Sequence, residues 1–142
     1  KLPRWKNTLI VFVPDHVGGY KENLNGSDRS RYQIPLILAG GAIARPLKVG
    51  IIGSQLDIAA TLLAQLGVKH DDFKFSKNMM SDATPKFAFF TSPDLFGVVS
   101  EENSIIYDNK AQKVVYDMGK KGYNLKRGKA YLQKLYDDLA SK

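Results

Sequence analysis

Hydrophobic positions fall into three patterns along the chain. Two continuous apolar runs come first, Thr8-Leu-Ile-Val-Phe-Val-Pro14 and Ile34-Pro-Leu-Ile-Leu-Ala-Gly40. Short apolar runs bounded by turn-forming residues predict buried strands of the parallel type. Pro35 is tolerable at the start of the second run, and Gly40-Gly41 ends it. The stretch between them, residues 18–32, is rich in Gly, Asn, Ser and Arg and reads as a polar loop. One more short extended stretch is expected at residues 49–52.

The second pattern is helical. Leu56, Ala59, Ala60, Leu63 and Leu66 recur at helical spacing, with Ser54 as N-cap, Asp57 three residues later and Gly67 as the C-terminal stop. A polar loop over residues 69–86 follows. The third pattern belongs to strands. Residues 87–91, 96–100 with 104–107, and 113–117 are rich in Phe, Val, Ile and Tyr, and their connections, Glu101-Glu102-Asn103 and Asp108-Asn-Lys-Ala111, are hairpin-sized. An antiparallel meander is the expected result. Residues 125–141 then repeat Leu132, Leu135, Tyr136 and Leu139 as an amphipathic helix lying across one face of that meander. The predicted architecture is α/β in two layers of different construction, residues 1–86 and residues 87–142.

Composition narrows the class. The chain has 142 residues, 44% hydrophobic and 25% charged, which is ordinary for a globular protein with a real core. No apolar stretch reaches the roughly 18 residues of a membrane span, and the first residues do not form a signal peptide. The chain opens within a few residues of a strand and lacks an initiator Met, so a piece of something longer is expected. The absence of Cys excludes disulfides and thiolate metal sites.

The net charge of +7 is concentrated. Between Lys110 and Lys134 there are eight Lys or Arg residues against one acid, Asp117, and the remainder balances to zero. Such a stretch can meet nucleic acid or anionic lipid headgroups, and its plainest reading is a solvated face around a turn and the terminal helix. No RNP-like aromatic pattern, zinc finger or G-x-x-G loop accompanies it, which argues against nucleic acid.

The residues with the most chemistry are Asp15 and His16, placed where the first apolar run gives way to the polar loop. Open α/β sheets bind ligands beyond the carboxyl ends of their strands. A carboxylate beside an imidazole suits a divalent ion such as Zn2+, Mn2+ or Mg2+. Two ligands do not close a site, because a catalytic ion needs about three protein groups plus an open position. The pair is either structural or half of a site. His70, with Asp71 and Asp72, imitates a ligand cluster but reads as an exposed turn. Ser54, Thr61 and Ser76 lack a nearby base in sequence, and Ser54 is accounted for as a cap.

Taken in order, four segments carry a resemblance. They are Asn7 to His16, then Ile34-Pro-Leu-Ile-Leu38, then Gly53-Ser-Gln-Leu-Asp-Ile-Ala-Ala-Thr-Leu-Leu63 closed by Leu66-Gly67, then Phe73-Lys-Phe-Ser-Lys-Asn78. Together they resemble the carboxyl-terminal part of the sulfatase and lipoteichoic-acid-synthase-like group within the alkaline phosphatase superfamily. The closing Phe-Ala-Phe-Phe and Ile-Ile-Tyr-Asp segments are similar to membrane-anchored bacterial members. The resemblance implies part of an alkaline-phosphatase-like sheet, with Asp15 and His16 matching a late metal-binding pair. It further implies a divalent cofactor (Mn2+, Zn2+, Mg2+ or Ca2+) and a nucleophile upstream of Lys1, so that no catalytic residue lies in this segment.

On that resemblance the intact enzyme acts on a phospholipid headgroup, a phosphoester or a sulfate ester, outside the cytoplasm, anchored in a bacterial membrane. The isolated segment is then inactive and prone to self-association. Two departures stand out: Val17 replaces the family's usual Gly, and Gln33 replaces a His common before the Ile-Pro segment. The alternative is a stand-alone α/β binding domain whose basic patch meets an acidic partner.

Overall fold

The computed structural model describes residues 3–17, 26–46 and 48–142. The predicted polar loop therefore lies partly outside the described residues, at 18–25. Two compact units are formed, Lys1–Gly50 and Ile51–Lys142. The first long helix lies in the same compact unit as the meander.

The first unit is built around two strands, β1 (Ile10–Phe12) and β2 (Ile37–Ala39), paired in the register Ile10 to Ala39, Val11 to Leu38 and Phe12 to Ile37. The pairing is antiparallel, which corrects the expected parallel type. A continuous apolar run reports burial, and strand direction is fixed by the connection, which the run does not encode. Both strands are also shorter than their runs. Pro14 and Pro35 have no N–H to give to a ladder, and the pairing stays inside them. Phe12 and Ile37 face each other across the ladder and are 54% and 55% exposed. A short 3-10 turn precedes each strand, Trp5–Asn7 and Arg29–Tyr32. Asp28 caps the second by accepting from both the N–H and the hydroxyl of Ser30, at 2.9 and 2.8 Å. No strand forms at residues 49–52, where an extended stretch was expected.

The second unit opens with α1 (Asp57–Gln65) and continues through a four-stranded antiparallel meander, β3 (Phe87–Ser92), β4 (Leu95–Ser100), β5 (Asn103–Asp108) and β6 (Lys113–Gly119), before α2 (Leu125–Ala140). The helix stop at Gly67 is as the sequence implies. With Gly67 at φ +68, Gly67 N–H bonds to Ala64 O at 3.1 Å and Val68 N–H to Leu63 O at 2.9 Å, the two bonds of a Schellman ending. Alternation along β3 to β5 puts Phe87, Phe89, Phe96, Val98, Ile105 and Tyr107 on one face, where α2 packs against them. The covering stripe is Leu125, Gly128, Tyr131, Leu132 and Leu135. Tyr136 and Leu139, expected in that stripe, are 58% and 71% exposed. Gly128 shifts the contact. A Cβ there would lie 2.3 Å from Phe96 Cε2, so only glycine lets the helix backbone rest on the sheet.

A buried polar network fastens the start of α2. Asn124, fully buried, donates from Nδ2 to Asn103 O at 2.7 Å and Ser100 Oγ at 3.0 Å. Asn103 Nδ2 in turn donates to Asp117 Oδ1 at 2.7 Å and Met118 O at 3.0 Å. Every buried side-chain polar atom among the described residues has a partner, as burial of such groups demands.

Candidate functional site

β1 ends at Phe12, and Val13-Pro14 carries the chain out of the ladder to Asp15 and His16. The two side chains are 87% and 77% exposed. Asp15 Oδ1 accepts the His16 main-chain N–H at 2.9 Å, which folds the carboxylate back toward the ring. His16 Nδ1 lies 3.0 Å from Val17 O. A carbonyl oxygen only accepts, so Nδ1 carries the proton and a neutral ring keeps its lone pair on Nε2. That nitrogen sits 3.5 Å from Asp15 Oδ2.

An imidazole whose second nitrogen donates to a main-chain carbonyl is the usual arrangement behind a metal-binding histidine, because the bond fixes both tautomer and ring orientation. A carboxylate oxygen and an imidazole nitrogen about 3.3–3.5 Å apart also match neighbouring corners of a tetrahedron with ligand bonds of about 2.0–2.2 Å. The donor set therefore fits a divalent ion as two of its ligands. Among the described residues no group of three or more His, Asp or Glu side chains comes together. Gln33 ends the Arg29–Tyr32 turn, its N–H bonded to Ser30 O at 3.4 Å.

The other residues weighed from sequence have structural tasks. His70 Nδ1 reaches only Val68 O, at 3.3 Å, beside the helix end. Ser54 does not cap α1; its hydroxyl accepts Phe89 N–H at 2.7 Å and donates to Phe89 O at 3.0 Å. Thr61 Oγ1 donates to Asp57 O at 2.6 Å and accepts Met79 N–H at 3.0 Å. Ser76 Oγ accepts Ala60 N–H at 2.9 Å. Asp57 is 1% exposed and pairs with Lys77. The Ser-Gln-x-Asp-Ile-Ala-x-Thr pattern thus ties α1 to residues 76–79 and to β3. Lys77 was not singled out from sequence, since nothing local marks a lysine as the partner of an acid so far upstream.

With that geometry described, comparison with known proteins adds the fold. The structure is similar to a solved structure of an alkaline phosphatase superfamily protein from Vibrio parahaemolyticus, with a TM-score of 0.69 and 21% identity. The chain carries part of that fold. The likeness covers 96% of this chain and 36% of the other, so the chain spans about a third of the length of the structure it matches. No family model and no curated protein matches the chain. No described helix is long and apolar enough to cross a membrane.

Proposed function

We propose that this chain is the carboxyl-terminal segment of the catalytic domain of a metal-dependent enzyme of the sulfatase and phosphoglycerol- or phosphoethanolamine-transferase type, in which Asp15 and His16 supply half of a metal site. The observation that carries the reading is the pair's geometry: a ring oriented by Val17 O, with Nε2 turned toward Asp15 Oδ2 at 3.5 Å. The fold likeness supports the same reading, and so does the exposed apolar pair Phe12 and Ile37, which suits a two-stranded piece of a wider sheet.

Held by Asp15 and His16 together with ligands from elsewhere in the enzyme, a divalent ion would supply Lewis-acid chemistry, lowering the pKa of a nucleophile and offsetting charge on phosphoryl or sulfuryl oxygens. The chain's own residues do three things. Asp15 presents a carboxylate oxygen, His16 presents Nε2, and Val17 O holds the ring in the tautomer that leaves the Nε2 lone pair turned outward for an ion. The parent enzyme is anchored in a bacterial membrane, faces outward, and takes a phospholipid headgroup, phosphoester or sulfate ester as substrate.

Calorimetric titration with Mn2+ and Zn2+ tests the site in the intact enzyme and in this chain. Asp15→Ala and His16→Ala each abolish metal-dependent turnover of the intact enzyme, and the isolated chain binds either ion weakly because ligands are missing. Tight binding by the chain that survives His16→Ala, or an intact enzyme indifferent to both substitutions, overturns the reading.

A further inference from the structure

We propose that the basic surface formed by the β5–β6 turn, the β6–α2 loop and the outer side of α2 docks on an anionic phospholipid bilayer. Three observations carry it, and none involves Asp15 or His16. The first is that the charge stays unneutralised in the folded chain. Among the described residues none of the eight cations between Lys110 and Lys134 forms a salt bridge. The acids at hand are otherwise engaged: Asp117 accepts from Asn103 Nδ2 at 2.7 Å and from Gly122 N–H at 3.0 Å, and Glu102 accepts from Ser100 Oγ at 2.6 Å. The Glu102 carboxylate also feels the charges of Arg127 and Lys120, with no ion pair formed to either.

The second observation is extent. Lys110 and Lys113 stand at one end of the seven-residue strand β6, and Lys120 and Lys121 just past the other, so the charge spans about 20 Å at about 3.3 Å per residue. That exceeds the Debye length of about 8 Å at physiological ionic strength. A small anion meets only a part of such a surface; an extended polyanionic surface meets all of it.

The third observation selects the bilayer among polyanions. All but one of the eight cations are lysines, point charges suited to a smeared negative surface rather than to the planar, bidentate recognition at which arginine excels. They are interleaved with tyrosines. Lys120 Nζ lies 4.8 Å from the Tyr123 ring centre. Tyr123 and Tyr136 are 40% and 58% exposed, and Tyr136 shares a shallow cleft with Lys129 and Gln133. Tyrosine with lysine is the pairing found where a protein meets the headgroup layer.

Vesicle co-sedimentation decides the matter, with phosphatidylcholine alone against phosphatidylcholine containing phosphatidylglycerol, at low and high salt, and with single-stranded DNA as a separate ligand. The chain is expected to bind only the anionic vesicles and to leave them at high salt. The triple substitution Lys126→Glu, Lys129→Glu, Lys134→Glu weakens that binding about a hundredfold or more with an unchanged circular dichroism spectrum, while Lys69→Glu outside the surface leaves it intact. Equal binding to neutral vesicles, binding unaffected by the triple substitution, no binding at low salt, or a clear preference for DNA over anionic vesicles each overturns the proposal.

Discussion

Asp57 and Lys77 form a buried ion pair across 20 residues of sequence, and the same lysine also binds the carboxylate through its main chain. Lys77 Nζ and Ser54 N–H share Asp57 Oδ2, and Lys77 N–H reaches Asp57 Oδ1 at 3.1 Å. The ammonium also lies 4.3 Å from the centre of the Phe87 ring. With Asp57 1% and Lys77 18% exposed at the side chain, removing one partner strands a buried charge. Lys77→Met should lower unfolding stability by about 3–5 kcal/mol, and the double variant Asp57→Asn, Lys77→Met should cost less than the two singles summed. Urea denaturation measures both; a strictly additive double variant would show that the pair is not coupled.

Gly128→Ala pits two effects against each other. Alanine gains up to about 1 kcal/mol of helix propensity, but its Cβ meets Phe96 Cε2 at 2.3 Å and Val98 Cγ2 at 2.9 Å, both on fully buried residues of a paired strand. Overpacking costs about 1–3 kcal/mol, and a sheet held on both sides of β4 gives little. Thermal unfolding should show a net loss, and a stabilised variant would mean that α2 can lift off β4 freely.

Ser54→Ala should destabilise by about 1–3 kcal/mol, because it removes the partner of both main-chain groups of Phe89, a residue buried to 94%. The slowing of Phe89 amide exchange should vanish with it. Unaltered exchange at Phe89 would assign its protection to β4 instead.

Glu102 gives the pH prediction. The Ser100 hydroxyl, then its own main-chain N–H, with Arg127 and Lys120 adding less, hold its carboxyl below the ordinary value of 4.5. A carboxyl lowered on folding adds stability above its unfolded value, and that contribution is lost as pH falls through the lowered value. The wild-type chain should therefore lose more stability than Glu102→Gln on acidification below about pH 4.5. Carboxyl titration by NMR should show the lowered value relax upward in Ser100→Ala; an unchanged titration would exclude the hydroxyl as its cause.

What the sequence disclosed was local. Glu101-Glu102 marked a hairpin turn, Gly67 marked a helix end, and the spacing of Ala60 and Leu63 marked the helix itself, each because the cause sits within a few residues of the effect. Strand direction in β1 and β2 was not visible, since Ile10 and Ile37 look the same in either pairing. The face that α2 buries was misjudged for a related reason: Leu139 is as apolar as Leu132, and only the close approach at Gly128 decides which of them turns inward. Ser54 was read as a cap because the competing partner, Phe89, lies 35 residues on. Asp15 and His16 were legible as an adjacent pair, whereas the tautomer of the ring depended on where Val17 O would fall.

That carbonyl also decides how much change beside it the His16 ring can bear. His16 is oriented by an atom that every amino acid carries, so replacing the side chain at position 17 leaves the orienting bond in place. Mutation there is silent toward the imidazole so long as the backbone keeps its path. Glycine and valine at position 17 are then two spellings of one instruction, and either can stand there without setting His16 adrift.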